Sequence, residues 1–242
     1  MTSRFYCPLP LQAGCTVTLP PEAAHHALRV LRLRSGDELL VFDGQGGEYS
    51  GKVTETAPVF RLMLTGWHDI EREAPLALTL AQALPGGDKM DWVVQKAVEL
   101  GVKAVQPLQA KRSVVRLSGE RAEKRRNHWQ QVAIAACEQS GRNRVPEIAP
   151  LFDLPHYLAR PPGENETRLL LSPQAESSLS DLPRPAGAVT LLIGPEGGFA
   201  EEEIATALAV GFRAIRMGPR VLRTETAGLA ALAALLTIWG DY

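Results

Sequence analysis

Apolar residues follow two different patterns along this chain. In the first part, Glu38–Phe42 and Glu48–Val53 flank a glycine-rich turn, and Val59–Leu64 is a further strand candidate. This arrangement predicts a hairpin within a β-rich segment. Glu22–Arg32 has apolar residues at helical spacing, with Ala24, Leu28 and Leu31 on one face. We therefore predict a small barrel of short strands with one helix.

From Leu76 onwards, strand patterns alternate with helix patterns, which predicts a parallel sheet with flanking helices. The strand candidates are Leu76–Leu84, Val102–Pro107, Arg168–Leu171, Val189–Ile193 and Phe212–Met217, and the helix candidates are Lys89–Leu100, Glu120–Ser140, a helix that begins within Ala200–Ile204, and Thr226–Trp239. The charged segment Glu71–Pro75 ends in proline and marks a boundary. We predict two domains, residues 1–72 and residues 73–242.

Composition narrows the class of protein. The 242 residues are 45% hydrophobic and 22% charged, which is ordinary for a soluble globular chain. No apolar stretch reaches the roughly 18 to 20 residues that span a bilayer, and the N-terminus lacks a signal-peptide layout. The three cysteines form no C-x-x-C pair, and the adjacent His25 and His26 point to different helix faces. A cytoplasmic protein without a membrane segment or a metal is expected.

Charge is unevenly distributed. The net charge of −1 argues against a nucleic-acid binder, but residues 111–126 contain seven Lys and Arg against two Glu. A second stretch carries Arg213, Arg216, Arg220 and Arg223 with no acidic residue before Glu225. Local positive charge of this kind can neutralise phosphates, although a solvated helix face would look the same.

The most specific feature is a strand that ends in a glycine loop. Val189–Ile193 runs into Gly194–Gly198, and a second polar block, Val221–Ala227, follows before the last helix. Open α/β sheets bind small molecules where such strands end. The loop lacks the Gly-Lys-Ser/Thr ending of a phosphate loop and the spacing of a dinucleotide fingerprint. It suits a ligand of positive or balanced charge, and the alternative is a glycine turn that binds nothing.

Several blocks in one order resemble the RsmE-type ribosomal RNA methyltransferases of the SPOUT superfamily. The blocks are Arg4–Tyr6, His26–Arg32, Gly36-Asp37, Phe42–Gly44, Gln95–Val102, Glu138–Arg142, Gly194–Gly198 and Leu222–Ala227. The resemblance covers nearly the whole chain. It implies an N-terminal PUA-like small β-barrel that binds RNA and a C-terminal SPOUT α/β methyltransferase domain with a trefoil knot. It also implies a homodimer that transfers a methyl group from S-adenosyl-L-methionine to N3 of one uridine in 16S ribosomal RNA of the small (30S) subunit.

The resemblance places the cofactor in three loops of the C-terminal domain. The implied cofactor-binding residues are Leu171, Ser172, Ile193, Gly194, Pro195, Glu196, Gly197, Gly198, Met217, Gly218, Val221, Leu222, Arg223, Thr224, Thr226 and Ala227. Glycine and alanine expose backbone groups that can hydrogen-bond an adenine edge. The sulfonium of the cofactor is cationic, so a glutamate nearby is compatible with it.

Catalytic and RNA-binding residues are expected as follows. Arg223 supplies positive charge to the uracil or its phosphate, and Glu225 or Glu196 accepts the N3 proton, unless these carboxylates only orient the cofactor or cap the last helix. Arg4 reaches the RNA or the active site from the other domain. The expected RNA contacts are Arg4, Arg29, Arg32, Lys111, Arg112, Arg116 and Arg142.

Two other functions fit parts of the pattern. An RNA-binding or ribosome-assembly module with a vestigial pocket would have the same barrel and basic stretches, although a lost pocket would not need its glycine loop. A Rossmann-type methyltransferase would have the glycine loop after its first strand, whereas here the loop lies near the C-terminus.

Overall fold

The computed structural model describes residues 2–242, and these form two units. The first contains the chain up to Glu73 together with Cys137–Val145, and the second contains Ala74–Ala136 and Pro146–Tyr242. The first unit thus includes a short segment from the middle of the sequence. Within it, Asn143 donates a hydrogen bond to the Ile70 carbonyl (2.6 Å) and the buried Arg142 pairs with Glu73. The domain limits at 1–72 and 73–242 stay a prediction.

A five-stranded sheet forms the N-terminal unit, in the order β1-β3-β4-β5-β2. The strands are β1 (Arg4–Tyr6), β2 (Thr16–Thr18), β3 (Glu38–Phe42), β4 (Glu48–Glu55) and β5 (Arg61–His68). Strands β3 and β4 pair antiparallel, which confirms the predicted hairpin. The core contains Phe5, Val41 and Leu62, all with their side chains buried.

The helix predicted over Glu22–Arg32 is wrong in its second half. Helix α1 (Pro21–His25) continues as a π-helical turn, His26–Val30, in which the Leu31 N–H donates to the His26 carbonyl at 3.1 Å. The wider turn rotates later residues away from the α-helical face. Leu31, expected to point inward, is 41% exposed.

A parallel sheet forms the C-terminal unit, as predicted, in the order β12-β10-β11-β6-β7-β8 with β9 paired to β7. The strands are β6 (Leu78–Ala83), β7 (Ala104–Gln109), β8 (Glu147–Ile148), β9 (Phe152–Asp153), β10 (Thr167–Leu171), β11 (Val189–Ile193) and β12 (Arg213–Ile215). The helices are α2 (Lys89–Glu99), α3 (Gly119–Ser140), α4 (Leu154–Leu158), α5 (Glu201–Ala209) and α6 (Thr224–Trp239). The last turn of α3, from Cys137 onwards, belongs to the first unit.

Strand β11 lies at the centre of this sheet, and every one of its residues is buried. It pairs with β6 on one side and β10 on the other. The chain leaves β6 towards β7 and later returns to the opposite side of β6 through β10 and β11. Ligands bind open α/β sheets at such a reversal, outside the carboxyl ends of the strands.

A chain of two hydrogen bonds, one buried and one half-buried, connects three distant parts of the C-terminal unit. The Gln82 amide, at the end of β6, donates to the Thr224 hydroxyl at 2.9 Å, and this hydroxyl donates to the Gly194 carbonyl at 2.5 Å. Helix α6 lies close to the sheet here, because a Cβ atom on Gly228 would come within 3.2 Å of a Leu80 methyl group. The first turn of α6 is thereby fixed against the sheet and the glycine loop.

Among residues 2–242, no helix has the length and apolar character needed to cross a membrane.

The Thr224 hydroxyl is expected to contribute measurably to stability. Thr224→Val removes it and leaves the buried Gln82 amide and the half-buried Gly194 carbonyl without this partner, so we expect the free energy of unfolding to fall by about 1–3 kcal/mol. Urea denaturation measures the change. Thr224→Ser keeps the hydroxyl and is the control. A valine variant as stable as the serine variant would contradict this role.

Cysteine reactivity is expected to differ sharply among the three thiols. Burial raises the pKa of Cys137 to about 12 and also raises the pKa of Cys7, whereas Cys15 is exposed. The thiolate is the form that reacts with iodoacetamide. At pH 8 we therefore expect rapid labelling of Cys15 alone in the folded protein and of all three after denaturation, as measured by peptide mass spectrometry. Equal labelling of Cys137 and Cys15 before denaturation would rule out this burial.

Candidate functional site

A cavity of about 560 Å³ lies at the carboxyl ends of β10, β11 and β12 in the C-terminal unit. Its walls are the loop after β10, the glycine loop after β11, and the segment between β12 and α6. Its volume is in the range of small-molecule sites. It therefore occupies the position that the strand–glycine loop pattern predicts for a ligand.

The structure brings together nearly all residues predicted to bind a cofactor. Those that line the cavity are Leu171, Ser172, Ile193, Gly194, Pro195, Glu196, Gly197, Gly198, Met217, Gly218, Val221, Leu222, Arg223, Thr224 and Ala227. Thr226 does not line it and is exposed in the first turn of α6. Glu225, predicted as a catalytic residue, also lines the cavity.

The shape of the glycine loop requires residues without side chains. A Cβ atom on Gly194 would lie 3.3 Å from the Phe199 ring, and one on Gly197 would lie 3.2 Å from the Arg112 Cβ. Gly198 has a φ of +65°, a conformation that other residues rarely adopt. The loop thus presents mainly backbone to the cavity.

Lys89 was missed from the sequence, and it joins two predicted carboxylates at the cavity. Its ammonium lies 3.3 Å from a carboxylate oxygen of Glu196 and 3.3 Å from one of Glu225. Glu196 also accepts a hydrogen bond from the Gly86 N–H at 2.8 Å. Residues 86–89 therefore connect the glycine loop to the start of α6. The only sequence signal was their position after β6, at the same edge of the sheet.

This cluster shifts the pKa values of its members. Hydrogen bonds to Glu225 and then to Glu196 raise the pKa of Lys89 above its ordinary value. Partial burial raises the pKa of Glu196, but hydrogen bonds from the Gly86 N–H and the Lys89 ammonium outweigh it, and the net shift is downward. Lys89 and Glu196 are consequently both charged at neutral pH.

The basic segment 111–116 is largely occupied by contacts within its own unit. The exposed Lys111 ammonium pairs with Glu202, and its N–H donates to the buried Glu203 at 2.7 Å. Arg112 donates to the Gly197 carbonyl at 3.1 Å and lines the cavity, and Arg116 donates to the Lys111 carbonyl at 2.6 Å. These contacts hold Lys111 and Arg112 against the start of α5 and the glycine loop, and the predicted RNA contacts of Lys111, Arg112 and Arg116 stay a prediction.

Arg4 and Arg142 also have internal partners, in the N-terminal unit. The Arg4 side chain is 10% exposed, pairs with Glu48, and donates to the Asn143 side-chain oxygen at 2.6 Å. Arg142 is 3% exposed and pairs with Glu73. The RNA contacts of Arg4 and Arg142 and the catalytic role of Arg4 stay a prediction. Arg29 and Arg32 are exposed, and their RNA contacts stay a prediction.

The chemistry open to the cavity follows from its lining. Of the described residues that line it, none is a histidine or a cysteine. The Thr224 hydroxyl is used in the hydrogen-bond chain, and Ser172 donates to Gln174 at 3.1 Å. No group of three or more His, Cys, Asp or Glu side chains within residues 2–242 is placed to hold a metal ion. The lining therefore suits ligand binding and alignment better than attack by a protein nucleophile.

Comparison with protein families gives two matches. Residues 72–236 match the model of an RNA methyltransferase domain, and residues 19–58 match the model of an RNA methyltransferase PUA domain. The first covers more than half of the chain and includes every residue of the cavity.

Individual relatives agree with these matches. The chain is 34% identical to ribosomal RNA small subunit methyltransferase E of Buchnera aphidicola subsp. Schizaphis graminum (98% of this chain, 97% of the relative) and 34% identical to the protein of that name from Bacillus subtilis (93% and 91%). It is also similar to a crystal structure of ribosomal RNA small subunit methyltransferase E from Neisseria gonorrhoeae bound to S-adenosyl methionine, with a TM-score of 0.93, 41% identity and 100% coverage of both chains. Near-complete coverage at this identity establishes that the chain belongs to the ribosomal RNA small subunit methyltransferase E family.

Proposed function

We propose that this protein transfers a methyl group from S-adenosylmethionine to N3 of one uridine in 16S ribosomal RNA of the small subunit. The observation that carries the proposal is the backbone-lined cavity at the carboxyl ends of β10, β11 and β12. Family membership supports the class of reaction, because its relatives are small-subunit ribosomal RNA methyltransferases by name. Uridine N3 as the acceptor rests on the resemblance of the sequence motifs.

The residues of the cavity fit S-adenosylmethionine. The glycine loop packs closely against Phe199 and Arg112 and presents mainly backbone to the cavity, so a flat adenine can approach its N–H and C=O groups. The Glu196 and Glu225 carboxylates, with Lys89 between them, offer partners to the ammonium and carboxylate of a methionine group. The related Neisseria gonorrhoeae protein was crystallised with this molecule.

Side chains around the cavity remove the N3 proton and stabilise the charge that develops during methyl transfer. When bound, S-adenosylmethionine supplies the sulfonium methyl group, which passes to N3 while the electron pair of the broken S–C bond stays on sulfur. The N3 proton must leave, and Glu225 is our candidate acceptor, with Glu196 as the alternative. Arg223 lines the cavity and stabilises negative charge that develops on the uracil oxygens. Alignment of donor and acceptor provides a large part of the acceleration.

Several properties accompany this function. The N-terminal unit binds RNA, with Arg29 and Arg32 as exposed contacts. The active form is a homodimer in the cytoplasm, and the C-terminal domain carries a trefoil knot. The RNA-binding role, the dimer and the knot follow from the family resemblance, and the cytoplasmic location follows from the cysteine usage. Sedimentation at working concentration tests the dimer, and a stable monomer would contradict it.

Methylation of assembled subunits is the direct test. We expect purified protein and methyl-labelled S-adenosylmethionine to label small ribosomal subunits from a strain that lacks the enzyme, and nucleoside digestion to place the label on N3-methyluridine. Deproteinised RNA run in parallel shows whether the assembled subunit is needed. Label on another nucleoside would contradict the N3 assignment. Binding of cofactor and RNA without transfer would favour a non-catalytic assembly role.

Arg223 is expected to act in the chemical step. Arg223→Ala should lower kcat by about 100-fold, because a charge-stabilising donor is lost. Arg223→Lys should recover part of this activity, since it retains the positive charge. Single-turnover methylation measures the rate, and calorimetric titration measures cofactor affinity. If the alanine variant methylates RNA at the wild-type rate, Arg223 has no catalytic role.

A further inference from the structure

The segment between β12 and α6 carries three exposed arginines. Arg216, Arg220 and Arg223 lie within eight residues, outside any helix or strand. Within residues 2–242, neither the Arg220 nor the Arg223 guanidinium has a hydrogen-bond or ion-pair partner, and Arg216 interacts electrostatically with Asp181. Arg220 and Arg223 both line the cavity. We call residues 216–223 the arginine rim.

The other basic stretch of this unit, residues 111–116, differs because its basic side chains have partners within the protein. The Lys111 charge is compensated by Glu202, and the Arg112 guanidinium is held by the Gly197 and Phe199 carbonyls. A phosphate that bound there would have to compete with these contacts. Binding at Arg220 breaks no internal contact, so its full charge is available to a partner.

The position of the rim matches the needs of the reaction. A uracil can react inside the cavity only if its nucleotide leaves the base stack, and this brings the adjoining sugar-phosphate strand to the cavity entrance. Arginine binds phosphate oxygens with two parallel hydrogen bonds. Gly218 has a φ of +73°, and Arg220, two residues later, is exposed and lines the cavity.

We propose that Arg220 of the arginine rim binds the phosphates beside the target nucleotide, and that Lys111–Arg116 has a mainly structural role. This inference rests on the proposed function, because it assigns the RNA strand to the entrance of the methyl-transfer cavity. It names Arg220 as an RNA-binding residue distinct from Arg223, which acts on the uracil.

Arg220→Gln tests the proposal through the salt dependence of RNA binding. The probe is a fluorescein-labelled 20-nucleotide oligouridylate, measured by anisotropy with the full-length protein. Loss of one phosphate contact on single-stranded RNA should weaken binding about fivefold at 0.1 M salt and reduce the slope of log K against log salt by about 0.7. The KM for ribosomal RNA should rise, while kcat and cofactor affinity stay unchanged. Arg220→Lys should retain most of the affinity.

The matched control is the double variant Lys111→Gln/Glu202→Gln, which removes one basic residue from the other stretch without changing the net charge. It should bind the oligouridylate with wild-type affinity and slope. The proposal is overturned if Arg220→Gln binds like wild type, or if the control weakens binding as much as Arg220→Gln does. If Arg220→Gln weakens binding but the wild-type protein transfers no methyl group, the proposed function fails while the rim remains an RNA site.

Discussion

The hydrogen-bond chain from Gln82 through Thr224 to Gly194 is the constraint on which the cavity depends. Gln82, Thr224 and Gly194 are far apart in sequence. Gln82 lies in the sheet, and Gly194 and Thr224 lie in two different walls of the cavity. Buried polar groups are costly without partners, so these three segments are stable only in one arrangement. Gly228 allows α6 to approach the sheet closely enough for the chain to form. The same contacts therefore determine both the packing of the C-terminal helix and the shape of the ligand site.

A second set of contacts determines the charge at the cavity. Lys89 lies between Glu196 and Glu225, so the two carboxylates share one ammonium. Glu196 also accepts a hydrogen bond from the Gly86 N–H. The excess negative charge suits a cationic sulfonium ligand and disfavours a bare phosphate. Arg220 and Arg223, on the segment before α6, supply the opposite charge to the same cavity. The cavity thus combines one partly compensated acidic cluster with unpaired arginines, as a cationic donor and an anionic RNA strand require.

Sequence patterns predicted the parallel sheet and helices α2, α3, α5 and α6, because periodicity is a local signal, but they missed the five-residue α4. The glycine loop and the family resemblance together predicted nearly the whole cavity lining. The patterns also missed β1, β2, β8 and β9, which are two or three residues long and too short for a period to show. The π-helical turn after His25 was missed because the apolar spacing fits an ordinary helix. Lys89 was missed because its partners, Glu196 and Glu225, lie more than 100 residues away, and only the tertiary structure brings them together.

The same limit explains why the two basic stretches differ in their internal contacts. Both look like phosphate sites when charges are counted along the chain. Folding places the first turn of α5 beside Lys111, where Glu202 pairs with the ammonium and Glu203 accepts the backbone N–H. These carboxylates also suit the N-terminus of their own helix. No described carboxylate pairs with Arg220 or Arg223 in this way. Which of these basic side chains keeps its charge free for an anion is therefore decided by the internal contacts that folding gives it, and a count of local charge cannot predict it.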